Sequence, residues 1–157
     1  FQVWDDGRHG KIISLDETAA VWDSRVEWDL ANGWSGGTRT YADSESDGKA
    51  NTDKIMARSD SQYFDAFKWC RAKGSSWYLP ARDELKQIYK NKDKLNSTLR
   101  QYGTALRAAL IYEWYWSSTE YVYEESEFRA WGVHMYDGVA YNYNLDYNYY
   151  VRAVSAF

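Results

Sequence analysis

Residues 130–144 read AWGVHMYDGVAYNYN, and this alternation restricts the chain's last third to antiparallel strands. A period of two puts Trp131, Val133 and Met135 on one face and Ala130, Gly132, His134 and Tyr136 on the other. Asp137-Gly138 is a hairpin turn signal, after which Val139, Tyr141 and Tyr143 resume on one side. The terminal YYVRAVSAF continues as a strand, with Val151, Ala153 and Ser155 alternating against Arg152, Val154 and Ala156. The hairpin is crowded with tyrosine, and a buried phenol needs a partner for its hydroxyl. That density is expected of a surface built to touch something else.

Upstream the pattern is different. GKIISLDE reads as a short strand after a DDGRHG turn. From about Asp29 to Asp60 the chain is rich in Gly, Ser, Asp and Thr, expected to be one long, locally structured loop and not a linker. SDSQYFDAFKWCRAKG predicts a helix capped by Ser or Asp, with Phe64, Phe67 and Cys70 inward and Gly74 closing it. A second helix is predicted over WYLPARDELKQIYKNKDKLNSTLRQYG, with Pro80 in its first turn and Leu85 and Ile88 inward. The basic run KNKDK is expected to be a solvated helix end. Strand, loop, two main helices and an antiparallel meander make an α+β class, in a single domain over residues 1–157.

Composition excludes several functions. Apolar residues are 45% and charged residues 27%, so the chain can bury a core; no run reaches transmembrane length. Residues 112–157 hold seven acids against Arg129 and Arg152, a balance of −5, while the remainder is +1. An acidic, tyrosine-rich region repels phosphate backbones, which argues against nucleic acid as partner. Cys70 is the only cysteine, expected as a buried thiol. His9 and His134 stand alone, with no zinc-ligand spacing, and DSESDG lacks the ligands of an EF-hand loop, so no metal or cofactor is expected. SSTE at 117–120 is assigned to strand-edge hydrogen bonding, and EESE at 124–127 to a solvated loop tip; no catalytic residues are assigned. The chain opens on Phe1 without a start Met or an apolar signal core, as expected of a trimmed or mature fragment.

WYLPARDELKQIYKNKDKLN, YGTAL, YWSSTEY, AWGVHMYDG and YYVRAVSAF together resemble a bacterial family with the C-type lectin fold. GRHGKIISLDE is similar to its opening strand, so the resemblance is nearly full length. The WYLPARDEL segment also resembles the helix start of formylglycine-generating-enzyme-like domains, a branch of the same fold. A narrower resemblance is to the variable proteins of diversity-generating retroelements, whose diversified residues lie near the C-terminus of this fold. There, adenine mutagenesis of Asn codons yields Tyr, Asp, His, Ser, Val, Leu or Asn, but never Trp, Glu or Met. Residues 121–150 look like such a product set among Trp131, Met135 and Gly138 as scaffold, although Glu124, Glu125 and Glu127 fall outside the scheme.

The resemblance implies a non-catalytic, adhesin-like or receptor-binding domain displayed at a bacterial, phage or secreted surface. Its partner would be a protein or cell-surface ligand, and residues 112–157 its variable region. Composition and resemblance together nominate Tyr121, Tyr123, His134, Tyr136, Asp137, Tyr141, Tyr143, Asn144, Asp146 and Tyr147 as the binding face, with Trp114, Trp116 and Trp131 as pins beneath. Tyrosine suits that task because it offers large rigid area with few torsions to freeze. Two alternatives belong to the same fold. One is a carbohydrate-binding lectin without diversification, although the calcium motifs of animal lectins need a proline that only Pro80 supplies, elsewhere. The other is an enzyme of the formylglycine-generating type, from whose cysteine pairs or copper the lone Cys70 departs.

Overall fold

The computed structural model describes residues 2–3, 9–25, 38–102, 112–124 and 127–157, with backbone only for 2–3, 123–124 and 127. The strands are β1 (Gln2–Val3), β2 (Gly10–Ile13), β3 (Thr18–Ala20), β4 (Trp77–Tyr78), β5 (Trp114–Glu124), β6 (Glu127–His134), β7 (Ala140–Asn144), β8 (Tyr149–Val151) and β9 (Val154–Ala156). The helices are α1 (Gly48–Met56), α2 (Asp65–Arg71), α3 (Arg82–Lys90) and α4 (Lys92–Tyr102). This is the α+β mixture of helices and mainly antiparallel sheets expected, and it is compatible with a C-type lectin-like fold.

The first sheet has the order β1–β2–β9–β4 and is antiparallel throughout, so the C-terminal strand is seated between β2 and β4. The second has the order β3–β8–β5–β6–β7 and contains one parallel contact, β5 with β8. The expected hairpin is there. Gly138, at φ +75°, donates its N–H to His134 O at 2.8 Å, and His134 N–H reaches Val139 O at 2.9 Å. A Cβ at Gly138 would come within 2.5 Å of the Tyr89 ring, so close approach as well as the positive φ requires glycine.

Two cores lie on opposite faces of the second sheet. One packs Trp116 and Ala130 against Trp22, Ile55, Phe64 and Phe67, with Trp22 meeting both phenylalanines edge-on at 5.6 and 4.9 Å. The other packs Tyr115, Val133 and Met135 against Leu85, Ile88 and Leu99 of α3 and α4. Cys70 is fully buried, and burial pushes its thiol pKa far up, out of the reactive range.

The structure departs from expectation in five places. The segment read as one loop contains α1, because Asp47 Oδ1 caps it by accepting the Ala50 N–H at 2.9 Å. Its buried face is Gly48, Asn51, Thr52 and Ile55, which carries almost no hydrophobic signal. The second predicted helix is two. Asn91 ends α3 by donating its N–H to Gln87 O and Ile88 O, and its own carbonyl accepts the Leu95 N–H within α4. Pro80 lies before the N-cap Ala81 and not in the first turn; α2 is capped by Phe64 without a side-chain bond. Finally, the terminal strand breaks at Arg152-Ala153, where the chain passes from the second sheet to the first. There Arg152 is fully buried, its Nη2 2.6 Å from Glu17 Oε2 and its Nη1 bonded to Ser14 O. Tyr115 Oη donates to the same Glu17 oxygen at 2.7 Å, so one buried carboxylate joins the two sheets.

Candidate functional site

Cross-strand partners in an antiparallel pair point the same way. Trp114 pairs with His134, Trp116 with Gly132, Gly132 with Tyr141, and Ala130 with Tyr143. These residues therefore share one face of the second sheet. Toward Trp116 and Ala130 that face is covered by the first core; toward Trp114 and the β6–β7 turn it opens to solvent.

The open part is a continuous run of rings. Tyr112 meets Tyr136 edge-on at 5.6 Å, and Tyr136 lies 6.2 Å from His134. His134 stacks on Trp114 at 4.9 Å, and Trp114 meets Tyr143 at the same distance. Tyr143 touches Tyr141 at 5.3 Å, Tyr147 at 5.8 Å and Tyr149 at 5.0 Å. Ring contacts at these separations and mostly tilted angles are the favourable arrangement for aromatic pairs. The rings stand outward: Tyr136 is 65% exposed, Tyr141 54% and Tyr147 48%.

The frame below is held by polar bonds. Trp116 is buried and its Nε1–H is shared between Ala20 O and Tyr147 O, both at 3.1 Å, which ties β3 and the approach to β8 onto β5. Asp137 shapes the turn, since its Oδ1 accepts the Val139 N–H at 3.1 Å and lies 3.2 Å from His134 Nδ1. The Val139 N–H holds the Asp137 carboxyl below its usual value, with His134 adding to the effect. Burial pushes the Tyr149 phenol up to about 12, assisted by Tyr143 and Tyr147, and it raises Tyr143 as well. These phenols stay protonated near neutrality. They offer flat area and hydroxyls that donate or accept, but no nucleophile.

Of the ten residues nominated from sequence, His134, Tyr136, Tyr141, Tyr143 and Tyr147 come together in this run, with Asp137 at its turn. Asp146 lies in the turn before Tyr147. Tyr121 and Asn144 face the other way: Tyr121 pairs with Arg129 and Arg129 with Asn144, on the side of Trp131. Tyr121 packs on Trp131 at 5.2 Å, and the Arg82 guanidinium covers the Trp131 ring at 5.2 Å. Trp131 therefore does not lie beneath the tyrosines, whereas Trp114 touches Tyr143 and Trp116 touches Tyr149. The Tyr123 side chain and the EESE tip lie outside the described side chains. Tyr112 and Tyr149 were not nominated. The same period of two that links Trp114 and Trp116 reaches Tyr112, and Tyr149 follows Tyr147 at the same interval.

A family model described as the Lcl C-terminal domain matches residues 12–155. The chain belongs to that family. Lcl C-terminal domains are lectin-like binding domains with the C-type lectin fold, and the match runs from β2 to β9, the strands that close the first sheet. A comparison with curated proteins returns no match. In this Lcl C-terminal domain no helix among the described residues is long and apolar enough to cross a membrane. Nor, among those residues, do three or more His, Cys, Asp or Glu side chains gather where they could hold a metal ion.

Proposed function

We propose that this domain is a non-catalytic recognition module whose contact surface is the aromatic run of Trp114, His134, Tyr136, Tyr141, Tyr143 and Tyr147. The partner is a protein or other cell-surface ligand. The observation that carries this reading is the continuity of outward rings above a frame bonded through Trp116 and Asp137. A ring held by its neighbours loses little freedom on binding, so a few of them suffice, at ~2 kcal/mol or more each.

The further reading, that the surface is diversified, is supported by where residue types fall. Tyr136, Asp137, Val139, Tyr141, Tyr147 and Asn148, all within reach of a mutated Asn codon, are exposed. Trp116 and Met135, which such codons cannot produce, are buried, and Trp114 and Trp131 are half-buried. Val133 and Leu145 are exceptions, reachable but buried.

The test is a variant carrying Tyr136→Ala, Tyr141→Ala and Tyr147→Ala, screened on protein and glycan arrays beside the parent. Retained circular dichroism and urea midpoint with lost binding is the expected result. Binding that survives the triple change would remove this face from the proposal. Sugar binding abolished by a calcium chelator would replace protein recognition with a lectin role. For diversification, the DNA downstream should hold a near-copy of the segment encoding about residues 115–157 that differs only at adenines; an intact locus without one refutes it.

A further inference from the structure

We infer that the partner of this face is a cationic polypeptide segment, read through its Arg or Lys side chains; this rests on the recognition reading above. Three observations converge on it. First, the face has carboxylates and lacks the cations of its own region. Asp137 follows Tyr136 and Asp146 precedes Tyr147, whereas Glu113 is opposite Met135, on the reverse side. Of the two arginines in residues 112–157, Arg129 is on the reverse face, bonded to Asn142, and Arg152 is buried against Glu17.

Second, the chain's own cations repeatedly settle on aromatic faces. Lys73 Nζ lies 3.9 Å from the Trp69 ring centre, the Arg39 guanidinium 4.5 Å from Tyr41, and Lys92 Nζ 4.8 Å from Tyr112 at one end of the run. Lys92 is held there by Met135 O at 2.6 Å. Among the described residues no cation covers Trp114, Tyr136, Tyr141, Tyr143 or Tyr147. The electron-rich faces of these rings are the surface on which a guanidinium or ammonium is attracted. Third, Asp146 Oδ1 is buried and finds no hydrogen-bond donor among the described residues. A half-buried carboxylate with an unpaired oxygen is stabilised by a cation brought beside it. Beyond Lys92 at one end of the run, an anionic ligand would meet carboxylates and ring faces.

The test uses Gly/Ser peptides of one length bearing Arg, Lys, Gln or Glu at the same positions, with heparin as an anionic polysaccharide, in fluorescence anisotropy at about physiological salt. The Arg peptide should bind at least about tenfold more tightly than the Gln peptide, the yield of two cation–ring contacts. Changing Tyr136, Tyr141 and Tyr147 to Ser, which leaves net charge untouched, should abolish that preference. Asp146→Asn should weaken Arg-peptide binding about threefold or more while leaving the far-ultraviolet spectrum unchanged. If the triple variant fails to fold, Tyr141→Ser alone is the same test with a smaller loss. An Arg preference that survives the serine changes is attraction to net charge alone and overturns the inference. So does failure of the Arg peptide to bind, or tyrosine-dependent binding of heparin. Tyrosine-dependent binding of the Gln peptide as tight as the Arg peptide overturns it too, yet leaves the recognition reading standing. That reading fails separately, on the arrays.

Discussion

Two stretches of the second sheet use polar chemistry in opposite ways. Ser117, Ser118, Thr119 and Glu120, at a bulge in β5, are between 0 and 4% exposed, although all four are polar. Three of them are tied to backbone of segments outside the sheets, and Ser117 to the Trp22 side chain. Ser117 O accepts the Trp22 Nε1–H, and Ser118 N–H donates to Pro80 O at 2.8 Å. Thr119 Oγ1 donates to Ser44 O and accepts the Arg82 N–H. Glu120 accepts the Thr40 and Tyr41 N–H groups and the Thr40 hydroxyl. The tyrosine run, by contrast, is held mainly ring to ring, with one side-chain hydrogen bond between Tyr143 and Tyr149. The knot supplies a long loop with the hydrogen bonds it cannot make internally, whereas the run asks nothing of its neighbours but contact. A frame of the first kind resists substitution; a surface of the second kind tolerates it. That contrast is what the proposed recognition role, with changeable contacts, would need.

The comparison is tested most severely at Gly48, the first residue of α1, where the loop side of the knot meets the Pro80 segment. A Cβ there would fall 2.5 Å from Ala81 N and Leu79 O, which are backbone and cannot swing away. Gly48 N–H also donates to the buried Glu84 carboxylate, which accepts Ala81 N–H, Tyr78 Oη–H and Lys11 Nζ as well. Gly48→Ala should destabilise by about 3 kcal/mol, read as a fall in urea midpoint at constant slope. Glu120→Ala comes next. It leaves the N–H groups of Thr40 and Tyr41 without an acceptor, for a loss of about 2 kcal/mol. Either change costing no more than an exposed tyrosine would show that the knot is not a frame.

How much of this was legible depends on what each signal encodes. Period two and Asp137-Gly138 announced the hairpin, and Leu85 and Ile88 announced the inner face of α3. Alternation says which residues share a face, but not which face is covered, so Trp131 could be taken for a pin when Arg82 covers it from the other side. Tyr121 and Asn144 entered the site by composition; parity counted from Trp114 and Tyr143 assigns both to the reverse face. The helix α1 was hidden because its buried residues bond instead of packing: Asn51 Nδ2 reaches Ser44 O and Ser118 Oγ, and Thr52 Oγ1 accepts the Leu79 N–H. Glu17 and Arg152 stand at opposite ends of the chain, and no local pattern pairs them. The hydroxyls of SSTE look like a solvent-facing strand edge until their partners are known.

The sign of pH dependence sharpens the contrast between kinds of carboxylate. Burial raises the Glu120 pKa above its ordinary 4.5, against the pull of Thr40 and Tyr41. The folded chain then holds that proton more tightly than the unfolded one. The associated stability is full below about 4.5 and is lost as pH rises through the folded value. Asp60 is opposite: the Arg58 hydrogen bond, with Arg25 adding charge, holds it below 3.8, so its stability is present above that value and lost on acidification. Urea midpoints from about pH 3 to about pH 7 read both. The advantage of the parent over Glu120→Gln should shrink as pH rises, and its advantage over Asp60→Asn should grow. Two curves of the same slope would mean that Glu120 is not burdened by burial.

The smallest effect is the most telling for function. Tyr141 is more than half exposed and meets the run at Tyr143, so Tyr141→Ser, Asn, Asp or His should each stay within about 0.5 kcal/mol of the parent. Tyr143 is half-buried among Trp114, Tyr147 and Tyr149, and Tyr143→Ser should cost about 1 kcal/mol. Urea titration of the five variants gives the order directly. A face meant to change its contacts must keep the first series flat, because every variant has to fold on the same frame. If Tyr141→Asn costs as much as Glu120→Ala, the outward rings are structural members, and the division between knot and run disappears.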